Sequence, residues 1–249
     1  LGNNSEKARF DSSGRLGIGQ STNLGSYDSS ADRLVVGDGT GDEGITIVSG
    51  QSVGHHGSIY FGDGTGSTNS KRGQIRYEQN TEAMSFATAG TEKLRIDISG
   101  RFLLGTTASR TIAGHSPRFL LNGDDYNQAT LQITSNQGGT SGGFIQISHQ
   151  RSGSAGGNTI LQDGDDFGRI RFTGGDGTNI DSRGAEIIAQ VDGTPGVDDM
   201  PGRLMFMTTA DGAQSTTERL RIKSDGSTFL QTSNVNINRG TNGAGYPLT

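Results

Sequence analysis

Apolar residues along this chain come in short runs, and most of them alternate with polar ones. Leu94, Ile96 and Ile98 fall on one face of a pleated ribbon, with Lys93, Arg95 and Asp97 on the other. Ile145 and Ile147 alternate in the same way with Gln146 and Ser148. A period of two belongs to β-strands, whose successive side chains point to opposite faces. Between the runs stand Asp-Gly, Ser-Gly, Asn-Gly and Gly-Gly, residues that accept the positive φ of tight turns. No stretch carries an i, i+3, i+4, i+7 stripe longer than two turns. The pattern therefore predicts an all-β chain of short strands.

The pattern also repeats. Residues 5–19 read SEKARFDSSGRLGIG, residues 91–105 read TEKLRIDISGRFLLG, and residues 217–231 read TERLRIKSDGSTFLQ. Aligned on Gly14, Gly100 and Gly226, the lines lie 86 and 126 residues apart. Between them the phrases keep their order. Arg15–Gly19 matches Arg101–Gly105, and Arg33–Val36 matches Arg118–Leu121. Gly44–Val48 matches Thr130–Ile133, and Gly57–Phe61 matches Gly168–Phe172. Arg72–Tyr77 matches Arg183–Ile188, and Met84–Phe86 matches Met205–Met207. Each phrase is expected to be a strand, about six to a unit. The expected organisation is the end of a preceding repeat at 1–13, a first unit at 14–99, and a longer second unit at 100–225. A partial repeat and tail follow at 226–249. The extra length of the second unit falls near 136–167 and 190–202, with a shorter stretch at 211–216. Tandem β-units of this kind argue for a repetitive, stacked architecture rather than one enzyme core.

Composition changes the picture in one respect. Hydrophobic residues are 29% of the chain, and 42 of its 249 residues are glycine. Glycine has no three-residue period, which excludes collagen. A chain so poor in apolar side chains has difficulty offsetting the ordering entropy of its backbone, about 1–2 kcal/mol per residue. Several chains sharing one core would resolve the shortfall, so an obligate homo-oligomer is expected. Three chains about one axis would pair strands between subunits and turn one side-chain row inward, with Gly17 and Gly19 beside Ile18 allowing close approach. The charged residues opposite that row are expected outside.

Charge and chemistry exclude more than they suggest. The net charge is −5 with no basic block, so a nucleic-acid footprint is missing. There is no cysteine for a disulfide, a thiolate metal site or a thiol nucleophile. No apolar run is long enough to span a bilayer as a helix, and LGNNSEK carries no signal-peptide pattern. A first residue Leu1 instead of Met suggests a processed chain or a piece of a longer one.

Gly50-Gln51-Ser52-Val53-Gly54 and Gly139-Thr140-Ser141-Gly142-Gly143 match a nucleophile elbow in letters only, since no helix pattern follows either. His55 and His56 are adjacent, so on a strand they face opposite ways and cannot chelate one metal within a chain. A ring of one histidine per chain about a three-fold axis is the remaining metal geometry, against an ordinary polar contact. His115 and His149 stand alone. Asp163, Asp165 and Asp166 are oxygen-rich but lack the frame of a calcium loop, and read as a solvated turn. Gly37–Gly41 and Gly62–Gly66 have no helix start to hold a phosphate and read as hairpin turns. Arg95 and Arg221, offset by Glu92 and Glu218, read as cross-strand or intersubunit ion pairs. No carboxylate pair is singled out as a glycosidase would require. No catalytic, cofactor-binding or metal-binding residue is assigned, and no cofactor is expected.

The strings GSIYFGDGTG, RGQIRYEQNTEAMSFATAGTEKLRIDISG and EKARFDSSGRLGIG resemble the shaft repeats of bacteriophage tail fibres and related virion fibre proteins. The resemblance covers 5–105 closely and 117–231 more loosely. It implies an elongated homotrimer, β-prism or triple-β-helix-like with small β-domains, attached to other virion proteins at its base. It implies a virion location and a role in adsorption to a host cell-surface glycan or protein, without nucleic-acid binding or membrane insertion. Such repeats commonly precede a self-cleaving intramolecular chaperone, for which the tail at 234–249 is too short. The insertion at 136–167 and the tail at 231–249 are either surfaces for receptor contact or, for the insertion, an extra β-domain that only lengthens the fibre. The alternatives to a structural fibre are a tailspike-like glycan depolymerase and a bacterial surface adhesin.

Overall fold

A computed structural model describes residues 7–19 and 24–231. Strand makes up 36% of the chain and helix 3%, so the chain is all-β, and the sheets do not close into a barrel. The strands are β1 (Ala8–Phe10), β2 (Leu16–Ile18), β3 (Leu34–Val36), β4 (His56–Phe61), β5 (Gly73–Glu78), β6 (Ala83–Thr88) and β7 (Thr91–Ile96). They continue as β8 (Phe102–Leu104), β9 (Phe119–Leu121), β10 (Asp166–Gly174), β11 (Ser182–Val191), β12 (Gly202–Thr209), β13 (Thr216–Ile222) and β14 (Thr228–Leu230). Three sheets result, ordered β1-β2-β3, β4-β5-β6-β7-β8-β9 and β10-β11-β12-β13-β14.

Most neighbouring pairs are antiparallel, joined by connections that run from two residues between β6 and β7 to eleven between β4 and β5. The exceptions are β2–β3 and β8–β9, which are parallel. The chain divides into two compact units. One comprises the described part of 1–108 with 118–128, the other 109–117 with the described part of 129–249.

The repeat is visible in the ladders. Ile59 faces Ile75 in the six-stranded sheet, and Ile170 faces Ile187 in the five-stranded one. Phe86 pairs with Leu94, and Phe206 with Leu220. Immediately after those phenylalanines both ladders break register, at Phe86/Ala87 and at Phe206/Met207. A bulge kept at one position in both sheets is a designed bend of the strand, since it sharpens twist and ends regular pairing there. The charged line turns the same way each time. Gly14, Gly100 and Gly226 have φ of 76°, 70° and 81°. Each glycine donates its amide to the carbonyl three residues back, at Asp11, Asp97 and Lys223. In the first two turns the aspartate Oδ1 also accepts the amides two and four residues on, which fixes the turn by its own side chain.

Two expectations fail. Gly44–Val48 and Thr130–Ile133 were read as strands, as was the alternation at 145–148, yet none of these joins a ladder. The reason is one of partners. A strand exists where its amides and carbonyls meet a neighbouring backbone, and the segments 41–51 and 131–150 make no backbone–backbone hydrogen bond among the described residues. Gly17 is buried in β2 between Arg9 and Val35, whereas Gly19 ends the strand at φ 76°. Ser5 and Glu6 of the first charged line, and all of the tail beyond residue 231, lie outside the described residues.

Candidate functional site: a repeated apolar sheet face

Alternation sorts the six-stranded sheet into two unlike faces. His56, Ser58, Gln74, Arg76, Glu78, Ser85, Glu92 and Arg95 share one face. Ile59, Phe61, Ile75, Tyr77, Met84, Phe86, Leu94 and Ile96 share the other, continued by Phe102, Leu104, Phe119 and Leu121. The polar face is the covered one. Ser85 is buried there, with Ala83 and Leu103 at 2% and 1% exposure. The apolar face is the more open one: Phe61 and Phe119 are 58% and 57% exposed, Ile59, Phe86, Phe102 and Leu104 are exposed beside them, and Ile75, Tyr77, Met84, Leu94 and Ile96 are half-buried. In a single chain the charged residues thus lie on the more covered face.

The five-stranded sheet repeats the arrangement. Ile170, Phe172, Leu204, Ile222 and Leu230 stand exposed on one face, while Glu186, Ile188 and Met205 are buried on the other. An exposed apolar patch of this extent marks an interaction surface on a soluble protein. Each face also holds a groove at the same place. In the first unit a groove of about 280 Å³ is bounded by Ile45, Ile47, Gly57, Ile59, Ile75, Tyr77 and Met84. In the second, a groove of about 170 Å³ is bounded by Ile147, Gly168, Ile170, Ile187, Ala189 and Leu204.

The covered faces are held by ion pairs. Arg95 lies 2.7 Å from Glu92 and 3.5 Å from Glu78, and hydrogen bonding to Glu92 raises its already high pKa. Arg221 meets Glu218 at 2.6 Å in the equivalent place. Arg171 meets Glu186 at 2.5 Å, and the Thr216 hydroxyl donates to the same carboxylate at 2.7 Å. Burial pushes the Glu186 carboxyl up, but the Thr216 and Arg171 hydrogen bonds outweigh it and hold the group below the usual carboxylate range. His56 Nδ1, Ser58 Oγ and Arg76 Nε are buried without a hydrogen-bond partner among the described residues.

The remaining candidates from the sequence are not brought together. The Ser52 carbonyl accepts the His55 amide in an exposed turn, and Ser141 lies in an exposed irregular stretch after the bend at 138–140; no helix follows either. His55 lies against Gly50, whereas His56 stands in β4 opposite Glu78. His149 Nδ1 is 2.8 Å from the Asp166 carbonyl oxygen. The three aspartates of 163–166 go to three different arginines. Asp163 is 3.6 Å from Arg203, Asp165 is 3.2 Å from Arg151, and Asp166 pairs with Arg169. No group of three metal-ligating side chains occurs among the described residues. A recess of about 720 Å³ opens beside Ile112, His115, Arg169, Arg171 and Thr173. Both of its arginines are already paired with carboxylates.

No protein-family model matches the sequence, and no curated protein matches it. Among solved structures, the chain is similar to the carboxy-terminal domain of the bacteriophage T5 L-shaped tail fibre, with a TM-score of 0.48 and 16% identity, over 86% of this chain and 83% of that one. A second is the same domain with its intra-molecular chaperone domain, at a TM-score of 0.45 and 11% identity, over 86% of this chain and 68% of that one. No helix among the described residues is long and apolar enough to cross a membrane.

Proposed function

We propose that this chain is a structural, non-catalytic phage tail fibre, assembled as an elongated homotrimer that attaches the virion to the host cell surface. The observation that carries the reading is the pair of open apolar faces. Both repeats leave the same row of isoleucines and phenylalanines in water, and the polar side is the one each covers. Three copies that turned these faces toward a common axis would form a β-prism core and leave the charged faces outward. Homo-oligomers with closed symmetry meet this need without any second gene product. The virion assignment comes from the fibre-shaft resemblance of the repeated phrases. The sequence phases 14–99 and 100–225 would be successive shaft repeats, with other virion proteins at the base and a host glycan or protein at the far end.

Sedimentation velocity tests the assembly. A species near three times 26.0 kDa with a high frictional ratio is expected. A compact monomer would overturn the reading. Labelled protein should then bind host cells and leave purified host polysaccharide uncleaved. Release of reducing ends would favour the tailspike-like depolymerase instead.

A further inference from the structure

The polar face of β10 carries two arginines where the matching strand of the first unit carries none. Ile170 faces Ile187 as Ile59 faces Ile75, so Arg169 and Arg171 stand at the places of Ser58 and Tyr60. The first unit builds the same ladder without either guanidinium, so strand pairing does not require them. Both border the recess of about 720 Å³, together with Ile112, Ala113, His115 and Thr173. None of these six lining residues is acidic.

The recess has a fixed wall and oriented charges. Its wall is a tight hairpin, in which Ile112 and His115 exchange backbone hydrogen bonds of 2.9 Å and the Thr111 and Ser116 hydroxyls lie 2.8 Å apart. Ala113 and Gly114 turn it at φ 49° and 80°. The Ala113 amide donates to Asp181 Oδ1 at 2.7 Å, which pins the hairpin to the β10–β11 connection. That connection is itself held, since Asp176 accepts the Thr178 and Asn179 amides and the Ser182 hydroxyl. Two carboxylates outside the recess orient the arginines: Glu186 takes Arg171 through Nε, and Asp166 takes Arg169 through a terminal nitrogen. An arginine has N–H donors on all three nitrogens, so each keeps donors for a ligand while its direction is set.

We infer that this recess binds an anionic sugar unit, a ring bearing a carboxylate or a phosphate, in a surface glycan of the host. Guanidinium groups match the paired oxygens of both anions. Ile112 and Ala113 offer an apolar wall to the C–H face of a ring, and Thr173 and His115 exchange hydrogen bonds with its hydroxyls. The volume lies within the roughly 300–1,000 Å³ of small-molecule sites and exceeds what a lone ion fills. Arg169, Arg171 and Thr173 alternate with Ile170 and Phe172, so the recess opens on the face that the homotrimer reading turns outward. Three copies would then present three recesses, and a polymer of repeated acidic units could engage them together, with the gain in avidity that linked sites give.

The inference rests on the reading of the chain as a host-attaching fibre, and titration of the full-length assembled protein tests it separately. The probes are a tetramer of galacturonic acid, phosphorylated maltotetraose, neutral maltotetraose, tetraglutamate and inorganic phosphate. One of the two anionic saccharides is expected to bind about tenfold or more tightly than maltotetraose, and which one it is tells carboxylate from phosphate. Arg169→Ser, which installs the first unit's residue, should weaken that binding about tenfold. Ile112→Glu, which sets a carboxylate in the wall, should weaken it at least as much. Unchanged sedimentation shows that each variant still assembles. Three results would each overturn the inference: neither anionic saccharide binds better than the neutral one, tetraglutamate or inorganic phosphate binds as tightly, or Arg169→Ser binds as the parent does. Adsorption of labelled protein to host cells separates the readings. Adsorption at full strength by both variants would leave attachment standing and overturn the recess as its contact. Saccharide binding without any adsorption would overturn the attachment reading and leave the recess with its sugar.

Discussion

Arg171 Nε donates to Glu186 Oε1 at 2.5 Å across the β10–β11 ladder, and the carboxylate it meets is 3% exposed. A buried charge that loses its partner is far costlier than the intact pair is favourable. Arg171→Met should therefore destabilise the protein by about 3 kcal/mol in chemical denaturation at fixed protein concentration. Removing both charges, as Arg171→Met with Glu186→Leu, should recover most of that loss. If the double variant were as unstable as the single one, packing of the arginine stem would outweigh the ion pair.

Leu103 and Phe229 occupy equivalent places, opposite Arg95 and Arg221 respectively. Their surroundings differ: Leu103 is 1% exposed and Phe229 is 50% exposed. Leu103→Ala should cost about 2–5 kcal/mol, the range for emptying a closed apolar site. Phe229→Ala deletes a larger side chain and should nevertheless cost less. Paired melts of the two variants decide it, and the reverse order would mean that Phe229 is covered in the assembled protein.

Gly100 turns the charged line at φ 70°, and a Cβ there would stand 3.1 Å from the Arg118 guanidinium, which itself donates to the Ser99 carbonyl. Gly212 has φ 76° with nothing within 4 Å of its Cβ position. Gly212→Ala should cost only the left-handed backbone penalty, about 1–2 kcal/mol. Gly100→Ala should cost that and the displacement of Arg118 as well. Equal losses would show that the arginine swings away freely.

The strands were legible wherever chemistry is local. Alternation at 91–96 and the Asp97–Gly100 turn follow from backbone geometry and side-chain period alone. The match of Met84–Phe86 with Met205–Met207 was one residue out, since the shared bulge sets Phe86 beside Phe206 and not Met207. What stayed hidden depends on partners. Ile145 and Ile147 alternate as well as any strand does, yet alternation says nothing about whether another backbone lies alongside. The same limit applies to the faces. The period of two separates Arg95 from Leu94, but only the fold shows Arg95 folded onto Glu92 and Glu78 on one face while Phe86, opposite Leu94, stands exposed on the other. The glycines at 57 and 168 were readable as matching letters, whereas their place in the grooves appears only with Ile47 and Ile147 beside them.

Asp192 ties two turns together and gives the protein an acid limit. Its Oδ2 accepts the Ser224 amide at 3.0 Å, and its Oδ1 lies 3.1 Å from Arg203. The Ser224 amide bond, working against burial and joined by the Arg203 contact, holds the Asp192 carboxyl at about 2. Asp176 is likewise held at about 2, chiefly by the amides of Asn179 and Thr178. Both values lie below the 3.8 of an unstructured aspartate. A depressed carboxyl binds protons less readily when folded than when unfolded, so its stabilisation is complete above about pH 4 and is lost as pH falls toward 2. Melting temperature at constant protein concentration should thus be insensitive to Asp192 between pH 7 and 5 and fall between 4 and 2. Asp192→Asn should melt lower than the parent at pH 7 and approach it as the acid range is crossed, because the variant has no carboxylate to protonate. Parallel curves across the whole range would show that the Ser224 and Arg203 contacts do not discriminate between the charged and the neutral side chain.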